Sequence, residues 1–279
     1  MSIKRILLAL AFVSASIPAC VNGGGLPMAP VITYGLLRNE YGTPIDSGAV
    51  VSLVKADSPE TICARHQVDG QLLVGVNYRL SLEMEDATPL QRTYAALVDE
   101  PMQVKVTIGG IEQPLTPTPF FNAPDSGTAQ RIDFSIGVDS DGDGIPDAWK
   151  ELMVIWSDGF FTSIDDIKAD EDPDGDGMTN WEEYLAGTLP FLATDVLAIT
   201  DFDRDPETGR LAIRFLSVDT RRYHIIVSQS LDEPIWSPAA SSPTPYGELE
   251  YRIIEGTGRT IKVYVEGDLP SAFFRIAVN

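Results

Sequence analysis

Histidine and cysteine are scarce in this chain, whose 279 residues include only two of each. The sequence contains no Gly-x-Ser-x-Gly elbow, His-Glu-x-x-His pair, Walker loop or dinucleotide fingerprint. His66 stands in a segment with loop character and His224 in an alternating, strand-like run, so neither has an evident catalytic partner. Nucleophilic catalysis therefore lacks its usual base, and the sequence predicts a protein that is not an enzyme.

Positive charge and long apolar runs are also sparse. Lysine and arginine total 20 against 41 aspartate and glutamate residues, which gives a net charge of −21. Nucleic acids and anionic membrane surfaces both attract basic segments, so neither is expected as a partner. No apolar run reaches the ~20 residues that a membrane-spanning helix needs. The sequence therefore predicts no transmembrane segment.

The N-terminus has the pattern of a secretory signal. Lys4 and Arg5 precede an apolar run over residues 6–13, and small residues follow up to Ala19. We therefore expect residues 1–19 to be a signal peptide. The mature protein would be secreted, extracellular or held in the cell envelope.

The two cysteines leave two possibilities open. Residues 17–20 loosely resemble a bacterial lipoprotein box, which would put a lipid anchor on Cys20. Alternatively, Cys20 and Cys63 form a disulfide in an oxidising compartment.

Two aspartate ladders lie in the middle of the chain, in a first loop (residues 139–150) and a second loop (residues 172–183). Oxygen ligands at loop positions one, three, five and nine, a carbonyl at seven, glycine at six and a bidentate acid at twelve are typical of calcium loops. The predicted Ca²⁺ ligands are Asp172, Asp174, Asp176, Met178 (carbonyl), Asn180 and Glu183 in the second loop, and Asp139, Asp141, Asp143, Ile145 (carbonyl) and Asp147 in the first.

The first loop has a defect at position twelve. Lys150 occupies that position, and an ammonium cannot ligate a cation. Either Glu151 shifts register, another acid substitutes, or the site is weak. Residues 139–183 hold fifteen acids and two lysines, so this stretch would repel itself without a cation.

Short alternating runs dominate the rest of the chain. Runs of strand character, separated by turn residues, cover residues 32–36, 50–54, 78–82, 104–108, 132–136, 196–199, 211–215, 223–227, 249–253, 261–265 and 273–276. The predicted fold is mainly β, with two antiparallel β-sandwich domains joined by a small helical calcium-binding module. The predicted bounds are 27–137 for the N-terminal sandwich, 138–190 for the calcium module and 195–279 for the C-terminal sandwich.

Each calcium loop is expected to lead into one short amphipathic helix. Trp149, Met153 and Trp156 recur at helical spacing behind the first loop, and Trp181 begins a similar run behind the second. Thr179 with Glu182 predicts a capping box, and Gly187 predicts a stop. We expect the tryptophans to pack the helices together.

The ladder sequences, from Asp139 through Trp149 and from Asp172 through Thr188, resemble the thrombospondin type 3-like calcium repeats of bacterial secreted and surface proteins. That resemblance implies that the ladder aspartates bind calcium and that the module stiffens a connector between β-domains. Residues 34–44 resemble the start of carboxypeptidase-regulatory-like sandwiches, and the C-terminal strands resemble a fibronectin type III-like module. A dockerin is disfavoured, because Pro146 and Thr179 occupy position eight, where dockerins carry an aliphatic residue.

The sequence supports two hypotheses for function. One is a non-catalytic calcium-stabilised structural or adhesive protein. The other is an accessory component that binds a cell-surface glycan or a protein through one sandwich face. A flat exposed patch made of Tyr246, Tyr251 and Tyr264 would favour the second hypothesis.

Overall fold

The structure, a computed structural model, describes residues 28–86, 93–269 and 272–278. The predicted signal peptide (residues 1–19) and both predictions for Cys20 lie outside the described residues. The described chain is mainly β, with several antiparallel sheets and two short α-helices. None of its helices is long and apolar enough to cross a membrane.

The N-terminal part of the chain is built from strands. Its strands are β1 (Val31–Gly35), β2 (Leu37–Arg38), β3 (Ala49–Lys55), β4 (Ser58–Gln67), β5 (Tyr78–Leu82), β6 (Pro101–Ile108), β7 (Ile111–Gln113), β8 (Leu115–Thr116), β9 (Phe120–Asn122), β10 (Ala129–Arg131) and β11 (Phe134–Ile136). The largest sheet has the order β4-β3-β6-β7, with β9 also pairing β6. Two smaller sheets, β10-β1-β5 and β2-β11-β8, complete this part.

The N-terminal core follows from the alternation of side chains along these strands. In β5, Tyr78, Leu80 and Leu82 are buried while the residues between them are exposed. They pack with Leu53 from β3 and Val104 from β6 in one apolar cluster.

Two pairings in this part are parallel, β1 with β10 and β2 with β11, although antiparallel pairing was expected throughout. Parallel neighbours need a long return connection. Here almost the whole N-terminal part separates the partners, as the register of Ile32 with Ala129 shows.

The C-terminal part forms two four-stranded sheets. Its strands are β12 (Ile199–Arg204), β13 (Leu211–Leu216), β14 (Arg222–Ser228), β15 (Ser237–Pro238), β16 (Ser241–Ser242), β17 (Ile254–Glu255), β18 (Thr260–Val265) and β19 (Phe273–Val278). One sheet has the order β12-β13-β18-β16, and the other has β15-β14-β17 with β19 pairing β14. Phe215 and Val263 from the first sheet share an apolar core with Tyr223 and Ile225 from the second.

Three details of the predicted strands were wrong. His66 lies in β4 rather than in a loop, and β4 itself was not predicted. Within residues 249–253 the described chain forms no strand, only an isolated bridge from Glu250 to Ser241. The run 196–199 contributes only its last residue to β12, whose other residues are all exposed.

The middle of the chain holds both predicted helices, α1 (Asp147–Trp156) and α2 (Asn180–Ala186), with a 3-10 turn at Ile164–Asp166 between them. The predicted capping box of α2 is present, since Thr179 Oγ1 accepts from the backbone N–H of Glu182 and the Glu182 side chain accepts from the backbone N–H of Thr179. Gly187 ends α2 with a left-handed φ of 79°.

The apolar sides of the two helices form a third, separate core. Trp149 packs edge-on against Tyr184 with ring centroids 5.6 Å apart, and Trp181 lies 5.7 Å from the same tyrosine. Trp156, by contrast, is 55% exposed and takes no part in this core. The expected packing of helices by tryptophans therefore depends on Tyr184 as the shared ring.

Candidate metal centre

The second loop is folded by hydrogen bonds from its own backbone. Asp172 Oδ1 and Oδ2 accept from the N–H groups of Gly175 and Gly177 at 2.9 and 3.0 Å. Asp174 Oδ1 and Asp176 Oδ1 each accept from a backbone N–H two residues further on. These contacts occupy one oxygen of each inner aspartate and leave the other free to face a ligand.

Five oxygen atoms of this loop are buried without a hydrogen-bond partner among the described residues. They are Asp174 Oδ2, Asp176 Oδ2, Asn180 Oδ1, Glu183 Oε1 and Glu183 Oε2. A buried oxygen without a partner costs about 1–3 kcal/mol, and more when it is charged. Hard cations take oxygen ligands, and the carboxylate oxygens of Asp172, Asp174 and Asp176 lie within 4.8 Å of one another, a spacing that can hold a metal ion.

The position-twelve residue of this loop is the most buried acid in the cluster. Glu183 is only 1% exposed. Burial, with the charges of Asp176 and Asp174 added, raises the pKa of Glu183 to about 8, and burial also raises the pKa of Asp176. The second loop thus disfavours the ionised form of these two carboxyl groups. A bound cation would instead favour the ionised form.

Two residues beyond the loop lie close to this cluster and were not predicted. Burial raises the pKa of Asp195, and the charge of Asp176 raises it further. The buried Thr188 hydroxyl is beside Glu183, although outside hydrogen-bonding geometry. Neither residue falls within the twelve-residue pattern, so no sequence signal identified them.

The first loop has the same backbone but a different interior. Asp139 accepts from the N–H groups of Gly142 and Gly144 at 2.8 and 2.9 Å, as Asp172 does in the second loop. The ladder aspartates of each loop have carboxylate oxygens within 4.8 Å of one another, a spacing that can hold a metal ion. Asp147 at position nine, however, directs both carboxylate oxygens to Ser140.

Lys150 fills the interior of the first loop. Its Nζ lies 2.8 Å from Asp141 Oδ1 and 2.8 Å from Asp143 Oδ2, and the side chain is 1% exposed. Burial alone would raise the pKa of Asp141, but hydrogen bonds from Lys150 and Lys168 hold it well below its usual range. Lys150 itself, rather than a shifted Glu151 or another acid, therefore contacts the ladder aspartates of this loop.

Arg221, from the C-terminal part, contacts both other parts of the chain. Its guanidinium donates to the carbonyls of Leu185 at 2.8 Å and Tyr184 at 2.9 Å, at the end of α2. It also donates to the Tyr41 carbonyl at 2.8 Å and the Thr43 hydroxyl at 3.1 Å, in the N-terminal part. A cation at a helix C-terminus also interacts favourably with the helix dipole.

Tyr184 makes the complementary contact from the helix. Its hydroxyl oxygen lies within hydrogen-bonding distance of Ser135 Oγ at 2.7 Å and of the Asn39 carbonyl oxygen at 3.3 Å. Gly187 leaves room for Arg221, because a Cβ there would lie 2.9 Å from the guanidinium carbon. The residue after Glu183 thus anchors α2 to the N-terminal part, a connection that no sequence pattern indicated.

The tyrosines expected to discriminate between functions do not form one exposed patch. Tyr246 and Tyr251 are exposed, but Tyr264 is only 7% exposed. Tyr246 also bonds to Glu207 through its hydroxyl. Tyr264 therefore does not contribute to a flat exposed patch with the other two tyrosines.

Comparison with known proteins adds no family. No protein-family model matches the chain, and no curated protein matches it.

Proposed function

We propose that this is a secreted, non-catalytic, calcium-binding structural or adhesive protein in which calcium rigidifies the connector between two β-sandwich domains. The observation that carries the proposal is the set of five buried oxygens without partners in the second loop. Secretion rests on the N-terminal pattern of residues 1–19.

The chemistry of the second loop favours calcium over other common cations. All of its predicted ligands are oxygens, and they include a position-twelve glutamate whose two oxygens both lack partners. Calcium takes six to eight oxygens in flexible geometry, whereas magnesium requires a near-ideal octahedron and retains several waters. Soft metals prefer sulfur or imidazole ligands, but this loop has no cysteine or histidine. Its one sulfur, Met178 Sδ, accepts from the backbone N–H of Leu197 at 3.4 Å.

The connector role is supported by what α2 touches at its two ends. Asn180 and Glu183 place its first turns in the metal centre, while Arg221 and Tyr184 hold its end against the other two parts of the chain. An isolated helix of seven residues is unstable in water, so ion binding would stabilise it by mass action. Ordering α2 would therefore also order the contacts that Arg221 and Tyr184 make between the three parts of the chain.

The metal centre is tested by a matched pair of substitutions. Asp172→Asn removes one charge from the second loop, and Asp139→Asn removes the equivalent charge from the first. We expect the first change to weaken calcium binding about tenfold or more, since a charged contact contributes about 1.5–3 kcal/mol and 1.4 kcal/mol is tenfold. The Asp139 change should alter affinity by less than about threefold, because Asp139 belongs to the first cluster, where Lys150 supplies the positive charge. Calorimetric titration measures both, and equal losses would contradict the proposal.

The connector role is tested by chelation of the full chain. Without calcium, we expect protease cleavage within residues 139–188 to increase and the maximal dimension from small-angle scattering to grow. Both β-parts should stay folded, because each has its own apolar core. Circular dichroism of the strands is the control for that retention. Unchanged cleavage and dimension on chelation would mean that calcium does not order the connector.

A further inference from the structure

The two loops place opposite charges at the same position. Position twelve is buried in both, and each residue there is 1% exposed, but it is Glu183 in the second loop and Lys150 in the first. The glutamate adds negative charge to a cluster whose oxygens lack partners. The lysine brings positive charge to within 2.8 Å of two ladder aspartates.

We infer that the Lys150 ammonium is the resident cation of the first loop, which is therefore ordered without metal and does not bind calcium. The inference concerns the first loop alone. It stands whether or not the second loop binds calcium.

The hydrogen bonds of the first loop support this assignment. Asp143 Oδ2 accepts from Lys150 Nζ and also from the backbone N–H of Ala169 at 3.0 Å. Asp141 has a second lysine partner, because Lys168 Nζ lies 3.0 Å from its Oδ2. Both inner aspartates thus have their charge balanced by protein groups, unlike the corresponding pair in the second loop.

The position of Lys150 explains how the loop holds its helix. Lys150 lies in the first half of α1, so its ammonium links that helix to the ladder aspartates. In an ordinary calcium loop the same link is made by the bound ion together with the acid at position twelve. Displacing it with calcium would require moving a buried ammonium away from two carboxylates. That step costs more than the removal of an exposed ion pair, because burial reduces solvent screening.

A variant-free test is the labelling of lysine amines with acetic anhydride, followed by mass spectrometry. In chelator, we expect Lys150 to react at least about tenfold more slowly than Lys168, since reaction requires local opening. Lys168 is the matched control, because it binds the same aspartate but is 42% exposed. Adding about 10 mM calcium, above the weak extracellular range, should leave Lys150 protected. Labelling of Lys150 that rises to the rate of Lys168, in chelator or in calcium, would overturn the inference.

A second test counts calcium ions. By equilibrium dialysis we expect one ion for the parent and two for Lys150→Glu, which puts a carboxylate at the missing position. Lys150→Arg retains the positive charge and should keep one site. A third variant, Asp172→Asn with Glu183→Gln, removes two predicted ligands of the second loop. If calcium still binds this variant and is lost when Asp139→Asn is added, an ion occupies the first loop and the inference is overturned.

The outcomes separate this inference from the proposed function. If the parent binds no calcium but Lys150 is protected, the calcium proposal fails and the assignment of the first loop stands. If Lys150→Glu does not fold, the labelling of the parent protein still decides.

Discussion

Glu183→Gln is expected to make the protein more stable than the parent in chelator and less stable in calcium. In chelator the parent buries the Glu183 carboxyl group, whose two oxygens lack partners and whose pKa is raised because burial disfavours its charged form. Glutamine has almost the same shape and is neutral without binding a proton, so it avoids the cost of a buried charge. The gain should be about 1–2 kcal/mol, at the lower end of the usual cost of an unsatisfied buried group.

In calcium the order should reverse. The variant loses the bidentate charged ligand at position twelve, so its affinity should fall about 100-fold. When calcium is well above both Kd values, that loss removes about 2.7 kcal/mol of ion-dependent stability, which exceeds the gain of about 1–2 kcal/mol in chelator. Thermal unfolding followed by tryptophan fluorescence measures stability in both conditions, because Trp149 lies in the third core and Trp181 packs against it.

The control for this prediction is the neighbouring acid. Glu182→Gln makes the same charge change on the same helix, but Glu182 is exposed. Glutamine can also retain the capping box. We expect a change below about 0.5 kcal/mol in both conditions, as is usual for surface substitutions. A Glu183 variant that behaves like this control would show that Glu183 does not ligate a cation.

Arg221→Met should move the N-terminal and C-terminal parts of the chain apart even when calcium is present. The carbonyls of Tyr41, Tyr184 and Leu185 would lose their donor, and each unsatisfied buried group costs about 1–3 kcal/mol. Burial lowers the pKa of Arg221 only to about 10, so the parent guanidinium is charged at neutral pH. We expect small-angle scattering of the variant in calcium to show a larger maximal dimension than the parent.

Arg222→Met is the matched control, since it removes the same charge one residue later. Arg222 also joins the two β-parts, through Asp46, but the pair is exposed. Exposed ion pairs contribute about 0–1 kcal/mol. We expect little change in dimension for this variant. Equal expansion in the two variants would mean that net charge, rather than the buried guanidinium, holds the junction.

Local patterns were sufficient where the physics is local. The caps of α2 follow from Thr179, Glu182 and Gly187, because a capping box and a left-handed glycine act within one turn of helix. The loop backbone likewise follows from the aspartate spacing, since Asp139 and Asp172 bind glycine N–H groups three and five residues away.

Strand β4 shows where the pattern was insufficient. It lies at the edge of the β4-β3-β6-β7 sheet, and most of its residues are exposed or half-buried. An edge strand with solvent on several sides does not need strict alternation of apolar residues. Its pairing with β3, which aligns His66 with Val51, supplied what the sequence did not show.

The residues of one short loop are enough to predict the types of candidate ligand, their spacing and the lysine at position twelve, because these depend on nearby positions in the chain. The entry of Lys150 into the first loop follows only from the fold, since the direction of a long side chain depends on the packing of α1. The same holds for Arg221, whose partners at Tyr41 and Leu185 are distant in the chain. Contacts between distant segments are set by how the three cores pack, and local residue patterns do not encode that packing.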